Sequence, residues 1–261
     1  MKFCQGGQNI LAAVNVFSEV AAALSVHGAA PCPNYMTTVE RANGMFPPPY
    51  ADEQYAADYQ RQACDPFWLS SCLVANAVKE ADGTRKLSVF AGRIPSNRSD
   101  LADAIIRHAS DEAKHARVFL QLLNAVSPDA ELSSRLKSDI QAYLPSPPIT
   151  FAVCDRPPYT VEQMVDEISQ INIGEIRTRI NQLILRPVLL AHASAEQEMR
   201  IQQVIDNLLR DEQRHIAYTG EILESFSQQG YNAFVDHIYL VRFCRFNERT
   251  IRELNGSGVD L

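Results

Sequence analysis

The chain has 261 residues, 46% of them apolar and 21% charged, with a formal net charge of −7. That length can bury a large core as a single helical domain spanning 1–261. The acidic balance argues against an extended nucleic-acid surface. No run of about 18 apolar residues occurs, so no segment is expected to span a membrane.

Strand patterning is nearly absent, and helical periodicity dominates. A first helix is expected from about Gln8 to Val26; Asn15, Ser18 and Glu19 interrupt its apolar face, so it resembles an amphipathic helix more than a leader peptide. The stretch containing Pro31, Pro33 and Pro47-Pro48-Pro49 reads as ordered cover rather than core. Helical character resumes near Asp52. Asp65-Pro66 reads as an N-cap followed by a first-turn proline, opening a helix that reaches Gly92. Ile94-Pro95-Ser96-Asn97 breaks the chain, and Ser99 is expected to cap a helix running to about Val126.

A connection from Ser127 to Tyr159 follows, with a short helix expected over Glu131 to Tyr143. Thr160 caps the next long helix, which approaches Pro187, with Glu162 and Gln163 in its first turn. A fourth long helix runs from around Ser194 to Gln229-Gly230. A last one spans about Tyr231 to Leu254, before a glycine-rich tail expected to fray. The pattern is two long-helix hairpins joined by a long crossover, an all-α four-helix bundle with extra N- and C-terminal helices.

Inside this pattern one motif occurs twice. Asp111-Glu112-Ala113-Lys114-His115 returns, one hundred positions on, as Asp211-Glu212-Gln213-Arg214-His215. Each is a Glu-x-x-His, which on a helix projects a carboxylate and an imidazole from one face about a turn apart. A single copy is weak evidence, since an exposed helix face can carry a chance His. Duplication makes the signal specific.

Each copy needs an upstream carboxylate at the same height on the antiparallel partner helix, so the chain must reverse midway between them. For Glu112, Glu80 puts the reversal near residue 96, within the Pro-Ser-Asn break; Asp65 would put it inside Leu87-Ser88-Val89-Phe90. For Glu212, Glu175 puts it beside His192-Ala193-Ser194, whereas Glu167 would put it in Leu189-Leu190. Glu80 and Glu175 are therefore the candidates, on otherwise apolar faces shared with Asn76, Ala77 and Thr84 and with Ile171, Asn172 and Thr178. Buried carboxylates cost several kcal/mol unless paired, by general desolvation arguments, and a pair of divalent cations would neutralise such a set.

With these residues, the segment from about Pro66 to Ser225 resembles the ferritin-like di-iron carboxylate superfamily. The resemblance implies that Glu80, Glu112, His115, Glu175, Glu212 and His215 ligate two Fe ions, with manganese–iron as a variant, and form the catalytic centre. It implies that Asp111 and Asp211 accept the ring N–H of the ligand histidines. His108, four residues before Glu112, is open between a seventh ligand, a hydrogen-bond donor behind the ligands and a core residue. Phe119 occupies the position at which radical-bearing relatives have tyrosine.

The implied activity is that of a non-heme di-iron oxygenase or oxidase; the lack of a leader-like or membrane-spanning segment makes the cytoplasm the expected location. It would use O2 and an external electron donor on a small organic substrate, by hydroxylation, N-oxygenation or oxidative cleavage. A homodimer is compatible with the sequence. The alternatives are a ferroxidase and a tRNA hydroxylase of the same fold, or a bundle without metal. An apolar lining is expected from Val74, Ile105, Phe119, Ile168, Ile171 and Leu208. Trp68 and the group Tyr35, Tyr50, Tyr55 and Tyr59 read as packing residues, and His27 and His237 as surface or capping residues. Arg177 and Arg179 face solvent, a neighbouring carboxylate or a substrate carboxylate. Six scattered cysteines without C-x-x-C spacing read as free, buried thiols of a reducing compartment.

Overall fold

The computed structural model describes residues 14–126, 140, 142–152 and 155–254. Among them all regular structure is helical. In chain order the α-helices are α1 (Val16–Val26), α2 (Pro33–Met45), α3 (Glu53–Ala63), α4 (Pro66–Ala91), α5 (Ser99–Val126), α6 (Val161–His192), α7 (Glu198–Phe226) and α8 (Asn232–Leu254). The described residues fall into two compact units. One holds Gln60–Tyr159 and Arg186–Leu208; the other holds residues 14–59, Thr160–Leu185 and residues 209–254.

In the first unit α4 starts where the sequence places it. The Asp65 carboxylate accepts the Phe67 N–H at 2.9 Å, and Pro66 occupies the first turn, where no N–H is needed. Leu69, Leu73, Ala77, Ala81, Leu87 and Phe90 form its buried stripe, packed along α5. On α5 the stripe is Leu101, Ile105, Ala109, Ala113, Ala116, Phe119 and Leu123. A fully buried Leu or Phe contributes about 1.5–3 kcal/mol relative to exposure, so these two faces hold the hairpin together.

The reversal is a 3₁₀ turn, Ser96–Arg98, at the height the carboxylate spacing requires. Ser99 is helical (φ −59°, ψ −33°) and opens α5 directly instead of capping it from an extended conformation. The end of the crossover is pinned to this turn. The Tyr159 N–H donates to Arg93 O at 2.8 Å, and the Arg93 guanidinium lies over the Tyr159 ring at 3.8 Å. Gly92 is required here, because a Cβ would stand 2.3 Å from Ala152 O. Most of the short helix expected over residues 131–143 lies outside the described residues.

In the second unit Thr160 and Gln163 cap α6 reciprocally. Thr160 Oγ1 accepts the Gln163 N–H at 3.3 Å, and Gln163 Oε1 accepts the Thr160 N–H at 3.0 Å. Asn15 caps α1 by accepting the Ser18 N–H. This start at Val16 is later than expected, and residues 8–13 lie outside the described residues.

The proline-containing stretch differs most from expectation: it forms α2, whose Tyr35, Thr38, Val39 and Ala42 are buried. Cys32 at its N-cap makes no side-chain cap bond. Glu224 of α7 does so instead, accepting the Tyr35 N–H at 2.9 Å and the Asn34 amide at 2.7 Å. A carboxylate at a helix N-terminus satisfies orphan donors and complements the helix dipole. At its other end, Asn247 of α8 donates to Phe46 O at 2.8 Å.

Two further expectations are corrected. The helix approaching Pro187 runs through it to His192. Proline removes one helical hydrogen bond and costs about 3 kcal/mol in an unsupported helix, but Leu185, Val188 and Leu189 are buried around it. Secondly, Cys64 is disulfide-bonded, while Cys32, Cys72 and Cys244 are free thiols. Spacing along the chain carries no signal for such a bond, which depends on closeness in space. Gly230, at φ +98°, turns the chain from α7 into α8 in a left-handed conformation that favours glycine. No helix among the described residues is long and apolar enough to cross a membrane.

Candidate metal-binding clusters

In the first unit α4 presents Glu80, and α5 presents Glu112 and His115, all buried. One oxygen or ring nitrogen from each lies within 4.8 Å of the others. Glu112 is central. Its Oε1 is 3.2 Å from His108 Nε2 and 3.5 Å from His115 Nδ1. Burial opposes its ionisation, but hydrogen bonds with Glu80, His108 and His115 outweigh burial and hold its carboxyl well below the usual range. His108 is thus buried on the same carboxylate as His115. The α4 backbone comes close to this carboxylate: a Cβ on Gly83 would stand 3.4 Å from Glu112 Oε2, in contact with it.

In the second unit α6 presents Glu175, and α7 presents Glu212 and His215. His215 Nδ1 is 3.4 Å from Glu175 Oε2 and 3.6 Å from Glu212 Oε2. Glu212 and His215 are each 1% exposed. The His215 turn is held from behind. Thr219 Oγ1 donates to His215 O at 2.6 Å and accepts from Asn172 Nδ2 at 2.8 Å. Asn172 lies one turn before Glu175 on α6, and its Oδ1 accepts both Tyr35 and Tyr239 hydroxyls, at 2.9 and 2.8 Å.

Each of the six sequence candidates therefore sits in a three-residue cluster inside its own unit. Asp111 and Asp211 are half-buried, and each pairs with the basic residue that follows in the repeat: Asp111 with Lys114 at 2.7 Å and Asp211 with Arg214 at 2.9 Å.

Of the apolar candidates, Ile105, Phe119, Ile168 and Leu208 are buried, while Val74 and Ile171 are half-buried. Arg177 pairs with Glu253 at 3.3 Å, and Arg179 with Glu19 at 2.9 Å and Leu209 O at 2.7 Å. Both arginines are used structurally. Tyr35 and Tyr50 are fully buried, Trp68 is half-buried, and His27 and His237 are exposed.

Two features escaped the sequence reading. Gln182 of α6 donates its side-chain N–H to Glu212 Oε1 at 2.8 Å. It lies seven residues, or two turns, after Glu175 and so on the same face, the one signal that could have marked it. The other is the Asn172 network, whose tyrosines come from α2 and α8.

A set of carboxylates and imidazoles this deeply buried fits a hard or borderline divalent cation such as iron or manganese, which would offset the desolvation of the acids. Comparison with curated proteins and with solved structures gave no match. The family model described as Rubrerythrin matches residues 72–222, a segment that includes both Glu-x-x-His repeats and both partner glutamates. That match covers more than half of the chain, which therefore belongs to the rubrerythrin family of ferritin-like di-iron carboxylate proteins.

Proposed function

We propose that Glu80, Glu112, His115, Glu175, Glu212 and His215 ligate a pair of irons, and that the protein is an O2-dependent oxygenase or oxidase of a small organic substrate. The observation that carries this is the matched pair itself: a buried Glu-x-x-His with an opposing glutamate in each unit, Glu80 buried and Glu175 half-buried. Bound ferrous iron would supply the electrons and the binding positions for O2.

The chain's own residues supply the rest. Glu80, Glu112 and His115 would hold one side, with His108 either a further ligand or a donor to Glu112. Glu175, Glu212 and His215 would hold the other. Asp111 and Asp211 would orient the imidazoles. Phe119 offers no phenol for a stored radical. Helices α1–α3 and α8 lie wholly outside the family-matched segment, which supports a pocket elaborated for an organic substrate rather than for iron alone. Electrons would come from an external donor.

Rapid mixing of the reduced, iron-loaded chain with O2 tests the reading. In an oxygenase, an organic compound from a substrate screen accelerates the decay of the optical change that follows mixing. If no compound alters that decay and added ferrous iron is turned over instead, the chain is a ferroxidase.

A further inference from the structure

Glu212 is held asymmetrically. Its Oε1 receives the Gln182 N–H at 2.8 Å, while its Oε2 faces His215 Nδ1 at 3.6 Å. Gln182 is only 6% exposed, and its Oε1 accepts no hydrogen bond among the described residues. The amide orientation is therefore explained by Glu212 alone. Rotating the amide would turn its oxygen toward the carboxylate, and two acceptors would repel. A side chain of the same length without an amide, such as methionine, would fill the space but leave Glu212 Oε1 without its donor. What the amide adds is the bond to Glu212.

We infer that Gln182 is a positioning residue that keeps Glu212 bound to metal through Oε2 alone, so that a coordination position stays open for a small exogenous ligand. This rests on the di-iron reading above. A carboxylate oxygen that accepts such a hydrogen bond has its lone pair engaged and its direction fixed, and so is a poorer metal ligand. Without the amide, Glu212 is free to chelate through both oxygens and close that position. The two clusters are inequivalent in this respect: Glu112 carries an imidazole, His108, on its Oε1, and Glu212 carries an amide. Losing a partner behind a metal ligand typically costs about 10- to 100-fold in metal affinity or activity, and a loss of exogenous-ligand affinity of the same order is the effect to expect.

The test uses the full chain, reconstituted with iron and oxidised, with azide as the probe. Iron content and azide affinity are measured for the parent, Gln182→Met and Gln182→His. The His variant keeps an N–H donor. The expected result is an unchanged iron content in all three, azide affinity lowered about 10- to 100-fold in Gln182→Met, and affinity near the parent value in Gln182→His. Unchanged azide affinity in an iron-loaded Gln182→Met chain overturns the inference and leaves the di-iron reading standing. Equal loss in both variants also overturns it, since it marks a packing role. If Gln182→Met does not fold, loss of affinity in Gln182→His decides against it. A parent chain that takes up no iron removes both the function and this inference.

Discussion

Gly220 of α7 faces the Tyr35 ring so closely that a Cβ would stand 2.6 Å from Cε1, 3.1 Å from Cδ1 and 3.2 Å from Cζ. The ring cannot swing aside cheaply. It is fully buried, packs edge-on against Tyr239 at 6.2 Å, and its hydroxyl is bonded to Asn172. Gly220→Ala gains about 1 kcal/mol of helix propensity. Against this stand about 1–3 kcal/mol of overpacking and about 1 kcal/mol for a weakened Tyr35–Asn172 bond. The net expectation is a destabilisation of about 1–3 kcal/mol, or a fall in Tm of roughly 2–12 °C for a chain of this size. Gly174→Ala on α6 is the control, because its nearest neighbour would be Phe246 Cε1 at 3.9 Å, an ordinary contact. Propensity alone should then stabilise it by about 0.5–1 kcal/mol. Thermal unfolding of both variants at equal metal content decides the matter. A Gly220→Ala chain at least as stable as Gly174→Ala would refute the reasoning.

Glu80→Ala and Glu175→Ala should each abolish metal-dependent activity and lower iron content while helical circular dichroism persists; full activity in either would show that the wrong upstream glutamate was chosen. Gly92→Ala should push the crossover backbone off the α4 terminus and weaken the Ala152 N–H to Ser88 O bond, seen as faster amide exchange at Ala152; unchanged exchange would contradict the 2.3 Å approach. Burial raises the Cys32 thiol to about 11, with Glu224 and Glu221 adding to the effect. Its alkylation at pH 8 should therefore be slow, rising about tenfold per pH unit below that value. Alkylation as fast as that of an ordinary thiol would contradict this environment.

Local chemistry carried much of the fold and the candidate site. Asp65-Pro66, Thr160 with Gln163, and the reversals near residues 96 and 193 are local signals, and the structure uses them as written. The Glu-x-x-His repeat and the reversal heights selected six side chains that the structure gathers in two threes. What escaped depends on contacts distant in sequence. Helix α2 forms in a proline-containing stretch because Glu224, about 190 positions away, supplies its cap. Gln182 could be linked to Glu212 only once α6 and α7 were placed side by side. Gly220 reads as a helix weakness until Tyr35 is known to lie against it. The Ser99 cap failed because the 3₁₀ turn delivers the chain into α5 already helical.

The most direct test is iron stoichiometry combined with Mössbauer spectroscopy after anaerobic reconstitution and oxidation. If Glu80, Glu112, His115, Glu175, Glu212 and His215 serve one dinuclear centre, the chain will hold about two irons as a single exchange-coupled pair. Well under one iron per chain, or two magnetically isolated irons, would contradict it.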